Sequence, residues 1–203
     1  MPALIDLRRR IKSVRNTQQI TQAMKTVSTA KFKKSQRTVI ETRPYWHNLP
    51  GLTSEAISWA GPEPHPLLAR RDEKRVEGLL ITSDKGLAGA FNSNLLTAAS
   101  SFFEEKAGQA RVRLILVGKK AVTFFRKHPF PVDLAYGERT QNLTREELRD
   151  IAQFLIRLYV FSKVDAIYVA YNEFKSILSP RLTITKLLPL EAPEKDKNQV
   201  TLP

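Results

Sequence analysis

The sequence predicts an α/β protein: a long N-terminal α-helix, one half of a coiled coil, joined to an α/β domain with a mostly parallel sheet. Three observations predict it. Residues 3 to about 43 contain neither glycine nor proline. A proline-rich break, GPEPHP, follows at 61–66. Beyond it, apolar runs of strand length alternate with segments whose apolar residues recur at helical spacing.

The first segment reads as one helix. Pro2 falls where a first-turn proline is tolerated, and Pro44 supplies a stop. Some 40 residues of helix span about 60 Å. That exceeds the width of any domain the remaining residues can build, so the helix is expected to project. Leu4, Leu7, Ile11 and Val14 step by 3, 4 and 3, a coiled-coil seam. The same register then meets Gln18, Thr21, Lys25 and Ser28, all polar, while apolar residues return one position early at Ile20, Met24 and Val27. One residue is about 100° around a helix, so the apolar stripe moves to another face. A helix lying on one flat partner keeps one stripe; a helix enclosed by partners on several sides need not. The expected division is the helix and its extension over 1–60, a linker over 61–72, the α/β domain over 73–190 and a polar tail over 191–203.

Within the domain, VEGLLITS (76–83) is a strand and AFNSNLLTAASSFFEEKA (90–107) a helix with Leu95, Ala98, Ala99, Phe102 and Phe103 on one face. VRLILVG (112–118) is a second strand, ended by Gly118. KKAVTFFRKH (119–128) is a short helix closed by Pro129. TREELRDIAQFLIRLYVFS (144–162) is a helix opened by a capping box, Thr144 with Glu147, and faced by Leu148, Ile151, Leu155, Leu158 and Tyr159. DAIYVAYN (165–172) is a third strand, and LTITKLLPL (182–190) a fourth, reached through a turn at Ser179 and Pro180. Alternating strands and helices imply a parallel, Rossmann-like sheet covered by helices.

Composition narrows the function. The chain has 203 residues and no cysteine, which excludes disulfides, thiolate nucleophiles, cysteine-ligated zinc and a thiol switch. His47, His65 and His128 are scattered, without metal-ligand spacing. There is no apolar run of about 18 residues and no secretory h-region. Of the net charge of +13, nine units lie in residues 1–43, where eleven arginines and lysines face only Asp6 and Glu41. The partner of that segment is therefore acidic: a protein surface, nucleic acid or anionic lipid.

The stretch SDKGLAGAFN (83–92) sits where a strand hands over to a helix, as in nucleotide sites. It lacks the spacing of G-x-G-x-x-G and of G-x-x-x-x-G-K-[ST], and VGKK (117–120) lacks the upstream glycine. It reads instead as a structural turn, with Gly86 and Gly89 for positive φ and Asp84 or Asn92 to cap a helix. Lys85 then points outward, free to meet another protein. Glu146, Glu147 and Asp150 suit the positive end of a helix dipole better than acid–base catalysis. No catalytic or cofactor-binding constellation appears.

RIKSVRNTQQITQAMKTVSTAKFKKSQ (10–36) resembles the N-terminal helix of the gamma subunit of F-type ATP synthases. ITSDKGLAGAFN (81–92) is similar to that family's other strong motif, and HPLLARRDEKRVEGLL (65–80) to the linker and strand before it. The resemblance implies a non-catalytic rotor shaft without its own cofactor. Its expected partners are an α3β3 ring, the ε subunit and a ring of c subunits, at the cytoplasmic face of a bacterial plasma membrane. Carried over by position, Met24, Lys25, Lys85, Gly86, Leu87 and Asn92 contact β subunits. The seam runs through Leu4, Leu7, Ile11, Val14, Ile20, Met24 and Val27. The family's chains continue into a second coiled-coil helix where this sequence reads KNQVTLP, so the seam is expected to lack an intramolecular partner, and the chain by itself is not expected to rotate productively. The rival class is a nucleic-acid-binding protein that lays its basic helix in a major groove, which predicts steeply salt-dependent binding.

Overall fold

The structure is a computed structural model that describes residues 2–59, 65–138, 140, 143–176 and 180–190. The described residues divide into two compact units, one within residues 2–59 and one within residues 65–190. The expected turn at Ser179 and the polar tail at 191–203 lie outside the described residues, as does most of GPEPHP.

The first unit contains one helix, α1, from Pro2 to Trp59. At 58 residues it spans about 87 Å. The expectation that Pro44 ends it is wrong: the helix runs through both Pro44 and Pro50. Each proline forfeits one main-chain bond, leaving the carbonyl four residues back, Ile40 or Trp46, without its N–H donor. Both residues are exposed, so water can take the donor's place. Threonine hydroxyls along α1 bond back to carbonyls one turn earlier, as Thr42 does to Thr38 (2.9 Å) and Thr53 to Leu49 (2.8 Å).

The second unit is a three-layer α/β domain. Its strands are β1 (Arg75–Ile81), β2 (Arg111–Val117), β3 (Val132–Tyr136), β4 (Ala166–Phe174) and β5 (Pro180–Leu188), and its helices are α2 (Phe91–Ala107), α3 (Lys119–Phe125) and α4 (Arg145–Val160). The sheet order is β3-β2-β1-β4-β5. The first four strands run parallel and β5 is antiparallel to β4. β3 was not anticipated: it is five residues long and follows Pro129 and Pro131, which mask its strand character.

The chain winds both ways from β1. α2 and α3 cover one face, where Val76, Leu80, Leu114 and Leu116 meet Leu95, Ala99, Phe103 and Phe125. α4 covers the other, where Leu79, Ile115, Val117 and Ile167 meet Ile151, Leu155 and Tyr159. β1 is thus buried on both faces, as the central strand of a parallel sheet must be. Gly78 leaves room for a side chain of α2: a Cβ there would stand 2.4 Å from Cζ of Phe103. The Thr144–Glu147 capping box forms as expected. Leu148 does not join the buried face of α4; it is 53% exposed, in the first turn, beside exposed Ala152, Ile156 and Val160.

Glu73, just before β1, ties four segments together. It accepts hydrogen bonds from Lys106 on α2 (2.6 Å), Lys186 on β5 (2.9 Å) and the Tyr168 hydroxyl on β4 (3.0 Å). Partial burial acts to raise its carboxyl, but those three donors outweigh it and hold the group at about 2. Asp165, just before β4, takes a bidentate contact and a backbone N–H from Arg75, which hold its carboxyl below the usual carboxylate range despite burial.

Candidate partner-contact site

Two surfaces carry the residues that the sequence singles out. On α1, Leu4, Leu7, Ile11, Val14, Ile20, Met24 and Val27 are all exposed. Lys25 is exposed beside Met24. The helix therefore presents an apolar stripe that changes face and a cationic surface around it. Among the described residues, no helix is long and apolar enough to cross a membrane.

The second surface is the loop between β1 and α2. It stands at the carboxyl ends of the parallel strands, beside the point where the chain winds away from β1 in both directions, the position at which ligands usually bind such sheets. Its two ends are pinned from within. Thr82 is buried; its hydroxyl donates to the Val117 carbonyl (3.3 Å) and accepts from the Ala121 N–H (2.9 Å). Asn92 accepts from the Ser83 N–H (3.2 Å) and lies 3.0 Å from the Ser83 hydroxyl. Asp84 reaches furthest. Its Oδ1 accepts from the Lys119 N–H (3.0 Å) and the Thr140 hydroxyl (2.6 Å), and its Oδ2 accepts from the Thr140 N–H (2.9 Å). Partial burial acts to raise the Asp84 carboxyl, but the Thr140 hydroxyl and the Lys119 and Thr140 amides prevail and lower it.

Asp84 thus caps α3, a helix 35 residues along the chain, and not α2, whose N-cap is Ala90 without any side-chain bond. Gly118 permits this approach: its φ is +101°, and a Cβ there would lie 2.3 Å from the Thr82 carbonyl oxygen. The Lys119 N–H at the start of α3 is thus occupied by a carboxylate of the chain. Among the described residues there is also no group of three or more His, Cys, Asp or Glu placed to hold a metal.

Between the pins, Lys85, Gly86, Leu87, Ala88, Gly89 and Ala90 are exposed. Leu87 is 96% exposed. It, rather than Gly86, takes positive φ, at +59°, with Gly89 at +53°. Four of the six residues expected to touch β subunits thus gather in this loop region, and Met24 and Lys25 lie on α1. Of these, Asn92 is only 7% exposed; its Oδ1 turns inward to Ser83, so it braces the loop. Asp84 was named only as a helix cap; no local signal shows that Thr140, 56 residues later, completes its shell.

A family model described as ATP synthase matches residues 3–202. The ATP synthase gamma chain of Pelotomaculum thermopropionicum is 40% identical over 196 residues, covering 97% of this chain and 68% of that one. That of Solibacter usitatus is 45% identical over 199 residues, covering 96% and 69%. The chain therefore spans about two thirds of the length of the curated relatives it matches. Among solved structures, the central stalk and c-ring of the Tetrahymena thermophila mitochondrial ATP synthase contains a chain that aligns with a TM-score of 0.65 at 23% identity, over 84% of this chain and 72% of that one. The rotor of the Euglena gracilis mitochondrial enzyme gives 0.57 at 16% identity, over 89% and 61%. At these identities the two structures establish the shared fold.

Proposed function

This chain belongs to the ATP synthase gamma chain family, and from that premise we propose that it is a non-catalytic central-stalk subunit, turned by ion flow through a membrane sector and transmitting that rotation to nucleotide sites on an α3β3 ring. The observation that carries the reading is α1. Fifty-eight residues of helix with an exposed apolar stripe that changes face suit an axle enclosed by several partners. The cationic surface of α1 suits acidic loops on the inner wall of such a ring. The exposed loop after β1, with Lys85, Gly86 and Leu87, suits the lower rim of a β subunit. The remainder of the α/β domain would face the ε subunit and the c-ring, which makes the protein peripheral to the membrane.

The test is assembly. Mixed with α3β3 from the same organism, the chain should bind with one copy per hexamer and make the three β sites unequal in nucleotide affinity. No binding to α3β3, together with salt-dependent binding to duplex DNA, would overturn the reading in favour of the nucleic-acid rival. Hydrolysis of ATP by the chain alone would overturn its non-catalytic assignment.

A further inference from the structure

The loop after β1 consists of two different kinds of residue. Thr82, Ser83 and Asp84 spend their polar side-chain atoms on the domain itself, as does Oδ1 of Asn92. Lys85 to Ala90 are exposed, and the apolar Leu87 almost completely so, at 96%. An exposed leucine on left-handed backbone is doubly unfavourable in an isolated chain. The conformation costs about 1–2 kcal/mol, and the side chain gains nothing from burial. Strained residues of this kind persist where surrounding structure over-determines them, and they concentrate at working sites. The over-determining group here is the Asp84 carboxylate, which joins the loops at the carboxyl ends of three strands: its own after β1, Lys119 after β2 and Thr140 after β3.

We propose that Asp84 is a positioning residue for the ring contact: by clasping Lys119 and Thr140 it holds Leu87 preformed as an apolar knob for a socket on a ring subunit. The socket has an apolar floor and an acidic rim, because Lys85 flanks the knob and Lys120 lies against the loop, its Nζ 3.4 Å from the Cβ position of Gly86. Preorganisation lowers the ordering cost of binding, so removing the clasp weakens the contact without removing any atom that touches the partner. The inference rests on the reading of this loop as a ring contact.

The experiment is a double-mutant cycle on the full chain, with affinity for α3β3 as readout and thermal melting of each free variant as a folding control. Leu87→Ala should weaken binding about tenfold or more, the effect of losing a buried leucine side chain. Asp84→Ala should weaken binding several-fold with Leu87 present and leave it unchanged in the Leu87→Ala background. Asp84→Asn keeps one accepting oxygen, and Thr140→Val removes one donor from outside the loop. Both should give smaller losses with the same dependence on Leu87, and both serve if Asp84→Ala does not fold. A loss from Leu87→Ala accompanied by clasp variants that are neutral, or that cost the same in both backgrounds, overturns the positioning role. A neutral Leu87→Ala overturns the reading of the loop as a ring contact, and the positioning role with it.

Discussion

Glu77 offers the sharpest test of the domain's architecture. It sits in the middle of β1 on the face covered by α4, is 0% exposed, and neither carboxylate oxygen has a hydrogen-bond partner. Its neighbour across the ladder is Arg113, whose guanidinium is committed to Asp133 on β3. Burial first, then the Asp133 charge, push the Glu77 carboxyl from 4.5 to about 8, with Arg113 only partly opposing them. A carboxyl raised in the folded state binds a proton that the unfolded chain has lost. Stability is therefore fully present below pH 4.5 and declines as pH rises, until the folded carboxyl ionises near pH 8. At about 1.4 kcal/mol per pH unit, the full loss is about 5 kcal/mol, of which about 3 is already spent at pH 7. Glu77→Gln removes the titration and keeps the shape. In urea unfolding at pH 5, 7 and 9, the variant should match the parent at pH 5 and exceed it by several kcal/mol at pH 9. Parallel pH profiles for the two proteins would refute the reasoning, since they would mean that Glu77 is solvated or paired in the folded state.

Three further outcomes follow from the packing and the charges. Gly78→Ala should destabilise the domain by about 1–3 kcal/mol in the same assay, because its methyl meets Phe103 and Leu114 inside contact distance. Glu73→Gln should cost about 2–3 kcal/mol near neutral pH, where the carboxylate holds Lys106 and Lys186; since the folded group titrates near 2, the difference should shrink as pH falls from 4.5 to 2 in acid-unfolding curves. Lys25→Ala should weaken binding to α3β3 by no more than about 1 kcal/mol at low salt and by nothing measurable at 1 M salt, the behaviour of a solvated charge.

What the sequence by itself determined is local. A glycine-free run sets a helix, apolar runs of seven or so residues set the central strands, and Thr144 with Glu147 sets the start of α4, because each signal lies within one or two turns of the chain. The tertiary structure alone decided which strand is central and what faces it. β3 was hidden by its flanking prolines, α1 outran Pro44 because water can satisfy the carbonyls it frees, and Leu148 fell outside the cover that periodicity assigned to it. Glu77 looks like an ordinary strand carboxylate until β2, β4 and α4 close around it. Asp84 looks like a turn residue until parallel crossovers carry Lys119 and Thr140 to within 3 Å of it. The spacing that brings those groups together is set by the winding of the sheet, and a pattern confined to neighbouring residues has no access to it.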